Sequence, residues 1–264
     1  MTSLSLQLIA SILYFGTAYL AVEQLRAPQG GLRAKLLGFI AIDLHAIGYA
    51  WHSWGAGAPS LHFFAALSLV GLVMAAVSLL QSLRQQATAL HVVIMPIAGL
   101  CAIPFALQAP AVEPTALDWR IQWHAWLALF SYATLSVATI TALMLAVQER
   151  RLRHRRALLS QSVLPPLIQI EALLFRLLQA AFLLLTLTLL TGGLFIEDLF
   201  AQHLVHKTVL SILSWIVLGV LLVGRFRYGW RGRKAVRLTL LAMSLLLLAF
   251  FGSKLVLELI LQRN

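Results

Sequence analysis

The chain has 264 residues, 61% of them apolar and only 11% charged, with a formal net charge of +11. Soluble domains of this size carry about a quarter charged residues, so a water-soluble fold is excluded as the first reading. The basic residues stand in short clusters between apolar runs, with no soluble module to present them to nucleic acid. The one cysteine, Cys101, excludes an internal disulfide, a CxxC redox pair and the CxxCH signature of covalent haem attachment.

A helix crosses the bilayer core with about 20 mainly apolar residues, because lipid offers no partner to a backbone N–H or C=O. Eight runs meet this requirement, at roughly 4–22, 36–54, 61–82, 89–107, 123–147, 171–194, 207–224 and 238–259. The first has neither a basic leader nor a cleavage site and reads as a retained span. The second carries Asp43 and His45 near its middle and His52 near its end. Pro96 and Pro104 interrupt the fourth, which membrane helices tolerate where neighbours satisfy the freed carbonyls. The fifth holds His124 near its start, and "LPPL" at 164–167 stops the chain before the sixth. The expected fold is therefore all-α: one polytopic membrane domain, residues 1–264, with about eight transmembrane helices.

Loop charges orient the bundle. Segments 23–35, 82–88, 148–170 and 225–237 carry Arg26, Arg33, Lys35, Arg84, the run "RRLRHRR" and "RFRYGWRGRKAVR". The alternate segments carry Glu113, Asp118, Glu197 and Asp198 with one basic residue, Arg120. Positive loops stay in the cytoplasm, so both termini are expected outside, and the alternation holds only with eight helices.

The eight histidines sort by depth. His154 lies in a basic cytoplasmic loop and His91 begins the fourth helix. His52, His62, His124, His203 and His206 lie near the outer face with Trp51, Trp54, Trp119, Trp123 and Trp126. Those tryptophans read first as an aromatic belt, and interfacial histidines such as His62 or His203 can simply be wet. His45 is different, because an ionisable side chain at mid-bilayer marks a functional site by default. Asp43, two residues away, points to the opposite face.

Three chemistries remain open on the residues alone: a haem ligand, a proton or ion relay, and structural histidines. Catalytic zinc is disfavoured, since His203 and His206 have no evident third ligand. Haem asks for only one or two imidazoles and a large apolar slot. No nucleophile–base pair or metal triad suggests an enzyme. Lys207, Ser211 and Trp215 follow i, i+4, i+8 on the seventh helix; Lys207 could hold a haem propionate or snorkel to the interface. Lys254 and Glu258 read as a mutually neutralised pair. Charge accounts for the basic residues of "GWRGRKA" but not for its glycines or Trp230.

The residues His124, Ser131, Tyr132 and Ala133 form "H-x₆-S-Y-A-T-L", which resembles a helix of the CcsA-type cytochrome c assembly membrane proteins. Downstream, Lys207, Thr208, Trp215, Arg225, "GWRGRKA" and "FFG" at 250–252 follow in similar order and spacing. The likeness spans about residues 120–260, with a weaker match in the second helix around His45. The tryptophan-rich outer loop of full members is absent. Val223 and about Leu261 stand where two further histidines are expected, a pattern similar to the shorter HemX/YpjD-like branch.

This resemblance implies a multi-pass protein of the bacterial inner (cytoplasmic) membrane that binds or moves non-covalent haem b in cytochrome c assembly or haem supply. Its partners would be the bilayer, haem and other cytochrome c assembly or haem-biosynthesis proteins, with no nucleic acid. Cofactor-binding residues would be His124, His45, His206, His52, Trp215 and Lys207, with His124 and His45 contacting iron. His124 and His45 differ in depth by roughly 10–15 Å, so His206 or His52 would pair better with His124 and His45 would serve a separate or transit site. The alternatives are a membrane regulator of a tetrapyrrole-synthesis enzyme or another membrane partner, and a small transporter using Asp43 and His45.

Overall fold

The computed structural model describes residues 3–26, 31–55, 59, 61–84, 88–108, 118–153, 166–195 and 205–252. Among these there is no β-strand. Eight α-helices follow in chain order: α1 (Ser3–Arg26), α2 (Leu32–Gly55), α3 (Phe63–Arg84), α4 (Thr88–Gln108), α5 (Trp119–Arg153), α6 (Leu167–Phe195), α7 (Val205–Tyr228) and α8 (Arg233–Leu247). A π-helical turn, Leu248–Gly252, continues α8. The apolar run expected through 259 thus widens at "FFG"; Lys254 and Glu258 lie outside the described residues, as do His154 and His203.

Among the described residues, six helices are long and apolar enough to cross a membrane: α1 from Leu4, α3, α4, α5, α6 and α7. The other two carry more charge. Arg33, Lys35 and Asp43 lie within α2, and the 15-residue α8 opens on Arg233, Lys234 and Arg237. Helix α5 has 35 residues and is about 52 Å long, against a hydrocarbon core of about 30 Å, so its charged end Gln148–Arg153 overshoots the apolar layer. Pro96 and Pro104 leave α4 helical throughout. Pro166 acts as expected, its carbonyl accepting the first N–H bonds of α6, from Gln169 and Ile170; Pro165 lies outside the described residues.

The chain groups into two compact units. In the first, α1 packs against α2 and α4, and α3 against α4 and α2. Small residues let these backbones approach, since apolar side chains gain nothing by leaving lipid for protein. Gly99 places α4 so close to α1 that an added Cβ would stand 3.2 Å from the Ser11 carbonyl oxygen. Ser11 Oγ in turn donates to the Gly99 carbonyl at 2.9 Å. Tyr14, Ala18, Ala41, Ala75, Met95 and Ala98 form the core of this unit.

In the second unit α5 packs on α6 and α8, and α7 on α6 and α8. Here polar side chains tie helices together across the core. Ser214 Oγ donates to the Ala242 carbonyl at 2.8 Å, joining α7 to α8. The Trp215 indole N–H donates to Thr186 Oγ1 at 2.8 Å and its ring stacks on Phe182, joining α7 to α6.

One end of this unit is closed by the elbow between α7 and α8. Gly229, with φ 64°, ends α7: its N–H bonds the Arg225 carbonyl and that of Trp230 bonds the Gly224 carbonyl. The chain then folds Trp230 against Gly224, where any Cβ would overlap the indole ring. Gly232, with φ 54°, leaves room for the Glu149 carboxylate beside it. Arg225 Nη1 donates to the buried Glu171 carboxylate at 2.6 Å and its guanidinium lies 4.5 Å above the Phe175 ring centre. The glycines and tryptophan of "GWRGR" are thus accounted for by packing within the unit.

Candidate functional site

At the other end of the second unit, all four helices line a cavity of about 290 Å³. Helix α5 contributes His124, Ala128, Ser131 and Tyr132, and α6 contributes Leu185, Thr188, Gly192 and Gly193 among others. Lys207, Thr208, Ser211 and Ile212 come from α7, and Leu246, Ala249 and Phe250 from the end of α8 and the π turn. The walls are mainly hydrocarbon, with one imidazole, one ammonium and several hydroxyls.

Local structure explains each placement. His124, Ala128, Ser131 and Tyr132 follow i, i+4, i+7, i+8 and so share one face of α5. The Tyr132 hydroxyl donates to the Leu246 carbonyl, the last turn before the helix widens, and its ring lies 5.5 Å from that of Phe250. The π turn, a geometry frequent at functional sites, thereby brings Ala249 and Phe250 to the cavity wall. Gly192 lets the His124 ring lie directly on α6, since a Cβ there would stand 3.1 Å from Cε1. A Cβ on Gly193 would meet nothing within 4 Å. Nδ1 of His124 lies 3.2 Å from Thr191 Oγ1, and Nε2 has no hydrogen-bond partner among the described residues.

The other candidates divide. Lys207 and Ser211 line the cavity with His124, whereas Trp215, one turn further along the same stripe, is held by Thr186 and Phe182 outside it. His206 points from the exposed face of α7 and does not line the cavity. In the first unit His45 is fully buried, with Nδ1 3.2 Å from the Tyr14 hydroxyl and Nε2 2.8 Å from Ser68 Oγ. Both of its ring nitrogens are therefore engaged by protein hydroxyls. Asp43 is exposed, on the opposite face from His45. His52 is half-buried and sets its ring edge-on to Phe105, with Nε2 buried and unbonded. His62 also packs on Phe105, and His91 is buried in the first turns of α4.

Thr191, Gly192 and Glu171 went unremarked in the sequence. The dipeptide Gly192-Gly193 late in an apolar helix was a usable signal, because glycine inside a membrane helix marks a close approach. A bare metal ion has no obvious seat: among the described residues no three His, Cys, Asp or Glu side chains cluster. A flat apolar ligand carrying its own metal and an acidic edge matches the donor set better. One imidazole nitrogen is available to a metal, an ammonium stands on a different helix, and the rest is hydrocarbon.

The family model for "Cytochrome C assembly protein" matches residues 47–261, which spans most of the chain and every residue lining this cavity. The chain belongs to the cytochrome c assembly protein family. The match begins two residues after His45 and reaches further towards the N-terminus than the likeness at 120–260. Among curated proteins the chain is 34% identical to the inner membrane protein YpjD of Escherichia coli, over 96% of this chain and 98% of that one, in the K12 and O157:H7 strains alike. It is also 30% identical to an uncharacterized 28.8 kDa protein in the nifR3-like 5'region of Azospirillum brasilense, over 86% and 85% of the two chains. No solved structure matches. The shorter branch to which the motifs pointed is thus the one this family member resembles across nearly its whole length.

Proposed function

We propose that this protein binds and hands on haem in the bacterial inner membrane, in cytochrome c assembly or haem supply. One observation carries the reading: in a chain of this family, His124 stands on the wall of an apolar cavity with Nε2 uncommitted and Lys207 on a neighbouring helix. Haem would be non-covalent b-type, since Cys101 is the only cysteine. Bound there, it supplies a redox-active iron and a hydrophobic plane with two carboxylates. His124 would hold the iron, Lys207 would neutralise a carboxylate, and the Leu185, Ile212, Leu246 and Ala249 side chains would exclude water from the macrocycle. The role is binding rather than catalysis, and haem-pathway proteins are its partners.

The loop charges favour eight spans with both termini outside, which puts the basic α7–α8 elbow in the cytoplasm and the cavity at the outer level. His45, hydrogen-bonded at both nitrogens, supports a structural role in the first unit better than iron ligation.

The test is an absorption spectrum of the detergent-purified protein, oxidised and reduced, beside His124→Ala. Haem content should fall sharply in the variant and recover in part with added imidazole, while His62→Ala changes little. Equal occupancy and identical spectra in wild type and His124→Ala would remove the ligand assignment.

A further inference from the structure

We infer that Thr191 is a positioning residue that fixes the tautomer of His124, placing the proton on Nδ1 and the lone pair on Nε2 towards the cavity. The inference deepens the haem reading and rests on it only for the identity of the ligand. A neutral imidazole can carry its proton on either nitrogen, and only the unprotonated one can bind a metal. Which one is free is decided by what the other touches.

Behind His124 the structure offers a specific partner. Thr191 Oγ1 lies 2.9 Å from the Leu187 carbonyl and 3.0 Å from the Thr188 carbonyl, both on its own helix. His124 Nδ1 is further, at 3.2 Å. A hydroxyl has one proton and two lone pairs. With that proton directed at a main-chain carbonyl, the oxygen meets Nδ1 with a lone pair, so the bond between them needs the N–H of His124 as donor. An N–H is thus held against α6, and Nε2 is left as the acceptor on the cavity wall.

Position is fixed along with protonation. Gly192 admits the ring to the surface of α6, and a Cβ there would press on Cε1 at 3.1 Å. The tripeptide Thr191-Gly192-Gly193 therefore seats the imidazole: a hydroxyl behind it, no side chain under it, and open space beside it.

The experiment uses the full chain in detergent, with ¹⁵N-labelled histidine. His124 is assigned by its loss in His124→Gln, and its two nitrogen shifts report the tautomer with no haem present. The wild type should show the Nδ1–H form. Thr191→Val, equal in shape but without the hydroxyl, should shift the population towards the Nε2–H form, and Thr191→Ser should restore it. In parallel, hemin titration should weaken about 10- to 100-fold in Thr191→Val and only a few-fold in Thr191→Ser, the range expected for loss of an outer partner of a metal ligand. An unchanged thermal melt of Thr191→Val separates this effect from unfolding.

An Nε2–H wild type, or a Thr191→Val variant that keeps the wild-type tautomer, would overturn the inference even if hemin binds through His124. The predicted tautomers with no hemin binding at all would uphold the seat and overturn the haem reading instead.

Discussion

The ion pair between Glu171 and Arg225 is the strongest candidate for a single stabilising contact in the second unit, and its coupling energy can be worked from the structure. Arg225 Nη1 and Glu171 Oε1 are 2.6 Å apart, with side chains 24% and 9% exposed. Fully exposed pairs contribute about 0–1 kcal/mol, and breaking a fully buried pair costs about 3–5 kcal/mol. The geometry here is intermediate, so Glu171→Gln should destabilise by about 2 kcal/mol. Arg231, whose side chain is 68% exposed and whose Nε lies 3.5 Å from the same oxygen, would recover only a small part. Arg225→Gln should cost slightly more, because the guanidinium also gives up its place over Phe175. In the double variant neither side chain leaves an opposite charge stranded. Its loss should therefore fall short of the sum of the two single losses by about 1–2 kcal/mol. Reversible unfolding in mixed micelles, followed by tryptophan fluorescence, measures all four corners of the cycle. Additivity within about 0.5 kcal/mol would show that the pair is uncoupled and refute the reasoning. The cavity begins at Leu185, 14 residues along α6 and so about 21 Å from Glu171, and any haem spectrum should survive in all three variants.

Three further outcomes are expected. His45→Ala removes the partner of both Tyr14 and Ser68 inside a fully buried site and should lower the melting stability by about 2–4 kcal/mol while leaving the His124 spectrum in place; loss of haem at unchanged stability would mark His45 as a ligand instead. Gly224→Ala forces the Trp230 ring off the helix and should cost about 1–3 kcal/mol, readable as a lower melting point together with a shifted tryptophan emission; an unaltered melt would mean that the elbow is loose. Topology reporters fused after Arg156 and Arg233 should be cytoplasmic and one after Pro114 external, and an external signal at Arg156 would break the eight-span arrangement.

Much of the fold was legible before any coordinates. Apolar runs of about 20 residues have one solution in lipid, the hydrogen-bonded helix, so the elements and their order follow from composition. The structure lengthens α5 at both ends and α6 at its start, because polar turns beyond the apolar layer still complete backbone hydrogen bonds. Pro166 fixed the start of α6 for a local reason, its missing N–H and fixed φ. His124 was legible through its motif, and Lys207 and Ser211 through their spacing.

What the sequence could not decide is which way the helices face. A membrane helix is apolar all round, so it lacks the hydrophobic stripe that points a soluble helix inward. Only the packing turns Lys207 to the cavity and leaves the adjacent His206 exposed. The partners of buried polar groups are non-local for the same reason: His45 meets Tyr14 and Ser68, 31 and 23 residues away, and Arg225 meets Glu171, 54 residues away. "GWRGR" reads as charge in one dimension, yet its glycines exist because the elbow takes positive φ at Gly229 and Gly232 and the Glu149 carboxylate lies beside Gly232, while Trp230 folds back on Gly224. Length and hydropathy determine that this chain becomes a bundle of membrane helices. The contacts between helices decide that one histidine is sealed by hydroxyls while another is left with a free nitrogen on a cavity wall.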